Sequence, residues 1–138
     1  MKIEVVTDRT GVPLAVIADA ASVPETVLAE VVLADIPATV DLPENVPVIA
    51  DRAYDSDPLR KRLAEDGFDL IAPHRKNRVK VPTNDGRKLR RYKRRYIVER
   101  TIAWLHSFRR VVTRFERSIM TYDGLVHLAC AFIALNRL

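Results

Sequence analysis

The segment YKRRYIVERTIAWLH, residues 92–106, holds a single carboxylate, Glu99, among crowded guanidinium groups. On an α-helix, at about 100° per residue, Tyr92, Arg95, Glu99 and His106 share one face. An acid among arginines suits metal-dependent phosphodiester chemistry, because carboxylate oxygens hold a hard divalent cation while arginines hold phosphate. Arg95 and Glu99 also stand four apart, so the same spacing can be an ordinary surface ion pair worth about 0.3–0.5 kcal/mol. A second acid, Asp51, follows the short apolar run Val46 to Ala50. If that run is a buried parallel strand, Asp51 stands just beyond its C-terminal end, where α/β proteins commonly carry function. Taken alone, Asp51 reads equally well as a turn aspartate. Two carboxylates from separate elements can share divalent cations and serve phosphodiester cleavage.

Around these acids, Arg94, Arg100, Arg109 and Arg110 read as phosphate contacts, since no base-reading helix is evident. Trp104 and Phe108 can stack on an unpaired base, but packing in or beside the core is the favoured reading. His74, His106 and His127 lack zinc-ligand spacing, and His127, within an apolar run, reads as a hydrogen-bonded core residue. No phosphate-cradling G-x-x-x-x-G-K-[ST] loop is present.

The 138 residues suit one domain with a real core. The net charge of +5 hides a strong asymmetry. Between Arg75 and Arg117 there are 16 Lys and Arg against three acids, a balance of +13, while the rest of the chain carries −8. A block this lopsided marks a polyanion partner more readily than a solvated face. The single cysteine, Cys130, excludes an internal disulfide and suits a reducing cytoplasm. No signal-peptide core is visible, and the longest apolar stretch, Leu125 to Leu135, is too short to span a bilayer.

The elements that must position the acids follow from periodicity. Alternation over 2–7, turn residues Asp8 to Gly11 and a second apolar run to Ala18 predict a hairpin over 2–18. Ser22 can cap a helix starting near Pro24, with Val27, Leu28, Val31 and Val32 as its apolar positions. The strand and acid segment spans 46–57, and Ser56 or Asp57 caps a helix with Pro58 in its first turn, ending at Gly67. Phe68 to Ala72 is a further strand, and 73–90 reads as a mobile basic loop. A helix over about 89–116 bears Glu99, with Val98, Ile102, Leu105, Phe108, Val112 and Phe115 as its apolar stripe. A last helix, about 122–137, closes the core. Strands alternating with helices indicate an α/β fold.

Three segments resemble the DDE-type insertion-sequence transposases of bacteria. IADRAYDSDPLRKRL is similar to the family's second-aspartate box, with Asp51 as metal ligand and Tyr54, Asp55 and Ser56 completing the signature. RRYKRRYIVERTIAWLHSFRRVVTRFE is similar to the C-terminal Tyr-Arg-Glu-Lys box, at Tyr92, Arg95, Glu99 and His106, with histidine standing where the family has lysine. KIEVVTDRTGVPLAVIADAASVPE resembles the hairpin before the first helix. The resemblance implies a ribonuclease H-like mixed sheet with flanking helices. It also implies Mg²⁺ or Mn²⁺ held by Asp51 and Glu99, and DNA contacts from Tyr92, Arg94, Arg95, Arg100, His106, Arg109 and Arg110.

The family's first aspartate sits on a strand upstream of the hairpin, and this chain starts at the hairpin. Asp8 reads as turn chemistry and is not assigned to catalysis. The expectation is therefore a sheet lacking its first, central strand, at a cost of about 1–3 kcal/mol for each buried group left unpaired. The chain reads as the C-terminal part of a transposase, from a truncated gene or a frameshifting element, inactive or nearly so alone. Implied partners are the DNA of element ends and target, with a second copy or an N-terminal transposase fragment, in a cytoplasmic, nucleoid-associated setting. The alternative is a non-catalytic DNA-binding module or regulator derived from a transposase. A stand-alone ribonuclease or resolvase explains the acids but not the two boxes.

Overall fold

The structure, a computed structural model, describes residues 1–38 and 40–138. The chain divides into two compact units, residues 1–38 with 96–138 and residues 39–95.

In the first unit, β1 (Lys2–Thr7) and β2 (Pro13–Asp19) form an antiparallel hairpin, registered Lys2↔Asp19 to Val6↔Ala15, with an irregularity after Val6. Asp8 builds the turn: one carboxylate oxygen accepts the N–H groups of Thr10 and Val12 and the Thr10 hydroxyl. Burial alone would raise its pKa, but these donors and Gly11 together lower it. Gly11 supplies the left-handed residue of the turn, at φ +91. Helix α1 (Glu25–Ala34) starts after Pro24 without a side-chain cap, contrary to the expected Ser22 cap. It packs on both strands through Leu28, Ala29, Val32 and Leu33, and leaves Val27 and Val31 exposed.

On the other face of the hairpin, Val16 and Ala18 join a core with Leu105, Val111, Tyr122, Val126, Ala129, Cys130 and Ile133. Most of these come from α6 (Ile119–Leu135), which buries positions 122, 126, 129, 130 and 133, the spacing of one helical face. Two polar bonds fix it: Asp123 Oδ1 accepts the Ala18 N–H at 2.7 Å, and the buried Tyr122 hydroxyl donates to the Val111 carbonyl at 2.7 Å. His127 is not a core residue. It lies on the exposed side of α6 and bonds back to the Asp123 carbonyl at 2.9 Å, because the buried stripe runs through Val126 and Ala129 instead.

In the second unit, β3 (Val46–Ile49) and β4 (Phe68–Ile71) pair in parallel, registered Val46↔Phe68 to Ile49↔Ile71. The N–H groups of Val46 and Ala50 donate to Gly67 and Ile71 carbonyls, so Pro47, one residue out of phase, directs its missing N–H to the other edge. Helix α2 (Asp57–Glu65) has Ser56 as its cap, with the Leu59 N–H donating to Oγ at 3.3 Å, and Pro58 in the first turn. Gly67, at φ +85, ends that stretch. Leu59 and Leu63 of α2 are buried with Leu70, Ile71 and Ala72.

The strands form two two-stranded sheets, the antiparallel β1–β2 and the parallel β3–β4. One expectation is corrected here. The helix expected over about 89–116 is broken into α3 (Gly86–Leu89), a 3₁₀ segment Arg90–Arg95, α4 (Tyr96–Leu105) and α5 (Arg109–Val112). The turn after Leu105 and the extended Phe108, which caps α5, interrupt it. The buried face of α4 is Ile97, Thr101 and Leu105 rather than Val98, Ile102 and Leu105, and Val112 and Phe115 are exposed. A buried hydrogen bond shifts the face: Thr101 Oγ1 donates to the Gly11 carbonyl at 2.7 Å, which draws a polar side chain into the core.

Candidate nucleic-acid-processing site

Asp51 lies in the second unit, just past β3 with only Ala50 between, and is exposed. Its carboxylate caps the 3₁₀ turn Arg52–Tyr54, where Oδ1 accepts the Ala53 N–H at 2.7 Å. Asp51 thus has the turn geometry and the strand-end location at once. The bond from Ala53 fixes the plane of the carboxylate without burying it.

The residue after this turn, Asp55, is the electrostatic centre of the unit, with only 3% of its side chain exposed. Oδ1 accepts from Arg60 at 2.7 Å and from His74 Nδ1 at 2.9 Å, and Oδ2 accepts the Arg75 N–H at 2.7 Å. Burial by itself would raise the Asp55 pKa, but the Arg75 N–H, His74 and Arg60 outweigh it and hold the carboxyl far below the usual carboxylate range. His74 Nε2 accepts the N–H of Thr83 at 3.0 Å, so the ring carries its proton on Nδ1 and donates it to Asp55. Arg75 reaches back to the Asp51 turn, donating to the Arg52 and Ala53 carbonyls at 3.2 and 2.8 Å. Arg78 grips Asp57 with two parallel bonds of 3.0 and 2.9 Å. The segment expected as a mobile loop over 73–90 is therefore tied down in its first part by side-chain bonds to Asp55 and Asp57.

Of the residues of the C-terminal box, Tyr92 and Arg95 meet: Arg95 Nη1 donates to the Tyr92 hydroxyl at 2.6 Å and its guanidinium lies 5.5 Å from the ring centre. Both stand on the 3₁₀ segment of the second unit, whereas Glu99 and His106 belong to the first unit. Glu99 lies on the exposed side of α4, about 160° round the helix from buried Thr101 by the angular rule. His106 is exposed and lines, with Ile102, Leu105, Val111 and Tyr122 among others, a pocket of about 340 Å³.

The cationic side chains divide by what holds them. Arg94 and Arg109 are exposed. Arg100 donates to the Thr10 carbonyl at 3.0 Å and lies 5.0 Å over the Trp104 ring, whose centre also has the Arg137 guanidinium at 3.9 Å. Arg110 pairs with Glu116 at 2.7 Å. Trp104 and Phe108 are half-buried and pack against the α6 core, as the packing reading expected. Sequence reasoning missed the Asp55 and Asp57 clusters; the cationic run 75–80 was the available signal, once a buried acid was sought for it. Among the described residues no group of three His, Cys, Asp or Glu side chains is gathered in a metal-ligating arrangement.

The structure is an α/β chain with an acid just beyond a strand end and a block of exposed cations. The comparison with known proteins narrows this: residues 1–134 match the family described as the transposase DDE domain, and the chain belongs to that family. It is 37% identical, over 99% of its own length, to a protein of Burkholderia cepacia assigned as a transposase for insertion sequence element IS402. A Brucella ovis protein assigned as a transposase for element IS6501 is 41% identical over 64% of this chain and 67% of its own. The chain spans 64% of the length of the Burkholderia relative. No solved structure matches. Among the described residues, no helix is long and apolar enough to cross a membrane.

Proposed function

We propose that the chain contributes to DNA transposition as the C-terminal part of a ribonuclease H-like catalytic domain. In that reading Asp51 and Glu99 are two of its metal-binding acids, and the reaction is phosphodiester hydrolysis followed by strand transfer. One observation carries the reading: Asp51 stands two residues beyond the parallel strand β3, and its carboxylate accepts the Ala53 N–H while staying exposed. The strands are in keeping with that fold: β1 pairs antiparallel with β2, and β3 pairs in parallel with β4. A third acid, which the resemblance assigns to an upstream strand, completes the donor set.

The donors suit the group. Both carboxylates are exposed hard oxygen ligands, the kind Mg²⁺ and Mn²⁺ take. Bound there, a divalent cation supplies Lewis-acid activation of the attacking oxygen and stabilisation of the leaving one. The chain's own residues do the rest. Asp51 and Glu99 hold the ion, and the Tyr92–Arg95 pair orients the transferred strand. Arg94, Arg109, Arg100, Arg110 and His106 meet phosphates and carry no sequence preference. DNA, a second copy or an N-terminal transposase fragment, and a cytoplasmic setting near the nucleoid complete the proposal.

The test is Mn²⁺ binding by the chain with an element-end duplex present. Asp51→Asn and Glu99→Gln should each weaken Mn²⁺ binding about tenfold or more, since even outer-shell changes cost that much, and leave duplex affinity nearly unchanged. Strand nicking that survives Asp51→Ala would overturn the catalytic assignment. A second reading, a non-catalytic DNA-binding module, rests on the exposed Arg94 and Arg109, which need no metal to hold a duplex. It expects the same duplex affinity with no dependence of Mn²⁺ binding on Glu99.

A further inference from the structure

We propose that residues 75–81, RKNRVKV, form a rigid finger that grips duplex DNA, with Lys76 and Lys80 on phosphates and Val79 and Val81 against the groove. This rests on the DNA-binding reading above and adds a contact element to it.

The finger is held from inside. Arg75 bonds the carbonyls of Arg52 and Ala53, and its own N–H bonds Asp55. Arg78 spends two nitrogens on Asp57, and also donates to the Lys80 and Val81 carbonyls at 3.2 and 2.9 Å. The planar fork of arginine suits this internal clamping, and lysine, a point charge on a flexible stem, suits contact with a backbone that can shift. The arginines are spent on the fold, while Lys76 and Lys80 are exposed.

The valines are the unexplained part. Val79 is 98% exposed and Val81 81%, far more than single surface hydrophobics need be. The clamp at Arg78 orders the segment, so their exposure is a property of a fixed conformation. No acid occurs from Arg75 to Asn84. A cationic finger with an apolar tip fits a polyanion with apolar surface between its charges. Duplex DNA offers this, with phosphates along each strand and sugars and base edges in the groove, where apolar side chains are known to wedge.

Fluorescence anisotropy on a labelled 30-base-pair duplex, across a salt series, tests the finger. Lys76→Gln/Lys80→Gln should reduce the slope of log affinity against log salt by about 1.8, the value for two phosphate contacts. Val79→Ser/Val81→Ser should weaken binding several-fold, on the order of fivefold, with the slope unchanged, because it removes apolar contact and no charge. Both pairs are exposed, and an unchanged thermal melt confirms that each variant folds. Arg94→Gln/Arg109→Gln is the comparison. If it weakens binding while both finger variants match the wild type, the finger proposal falls and the DNA reading stands. A wild-type chain with no duplex affinity overturns both. Finger variants that match the wild type on DNA yet lose binding to phosphatidylserine vesicles overturn the proposal by assigning the finger to a lipid surface.

Discussion

A carboxylate as enclosed as Asp55 must be ionised or neutral for physical reasons, and here the donors around it decide. Arg60, His74 and the Arg75 N–H converge on its two oxygens, so its pKa is lowered despite burial. A group whose folded pKa lies below its unfolded value, about 3.9, stabilises the fold fully above about pH 4. That contribution fades as pH falls toward the depressed folded value. Urea unfolding at pH 7 and pH 3 should show the wild type losing stability on acidification and Asp55→Asn losing much less; parallel losses would remove Asp55 as the titrating group. Asp55→Ala should cost about 3–5 kcal/mol at pH 7, because it leaves Arg60 largely enclosed with its best partner gone. Cys130 moves the opposite way: burial pushes its thiol up to about 11. It should stay unlabelled by a maleimide at pH 7.5 until the chain unfolds, and rapid labelling of the folded protein would contradict that. The sequence marked Asp55 as part of a signature and could not show its role. Its partners come from positions 60, 74 and 75, and nothing local ties those side chains to it.

At the scale of elements, helix α4 shows why a hydrophobic stripe can be read one notch off. Periodicity selects Val98 and Ile102 because they are apolar, whereas the fold buries Thr101 at 0% exposure and leaves Ile102 at 37%. The choice is made by the hairpin turn. The Gly11 carbonyl faces α4 and needs a donor, which Thr101 supplies. A Cβ on Gly11 would lie 3.1 Å from Thr101 Oγ1, and the residue's φ of +91 disfavours any side chain there. Thr101→Val should therefore cost about 1–3 kcal/mol by leaving a buried carbonyl unpaired. Gly11→Ala should cost at least about 1 kcal/mol through backbone strain. Because the two sites touch, the double variant should cost less than the sum of the singles, and strict additivity in chemical denaturation would show that turn and helix are not coupled. The shorter elements were legible where their signals are local. Ser56, Pro58 and Gly67 bound α2 as expected, since capping and left-handed termination are decided within a few residues. The break after Leu105 was not, since an apolar run through Phe108 and Val112 looks continuous until Phe108 adopts an extended conformation.

Over the whole molecule, strand pairing was legible where its signals are local: the hairpin over 2–18 pairs as β1 with β2, and the run from Val46 pairs in parallel with β4. The distribution of charge was the most legible, because it needs no folding to count. The +13 block against the −8 remainder makes a testable distinction between net charge and local charge. Counterion release responds to the phosphates a protein neutralises, so the salt slope of DNA binding should report the cationic block alone. If the chain neutralises four phosphates, its affinity should fall on the order of a hundredfold between 50 and 200 mM salt. Asp41→Asn/Glu44→Gln removes two exposed acids from the acidic part and raises the net charge to about +7, yet should leave that slope unchanged. Arg94→Gln/Arg109→Gln lowers the net charge by the same amount and should reduce the slope by about 1.8. Slopes that follow net charge in both variants would mean that the DNA senses the protein as a diffuse cation, and that the segregation of charge along the chain has no part in binding.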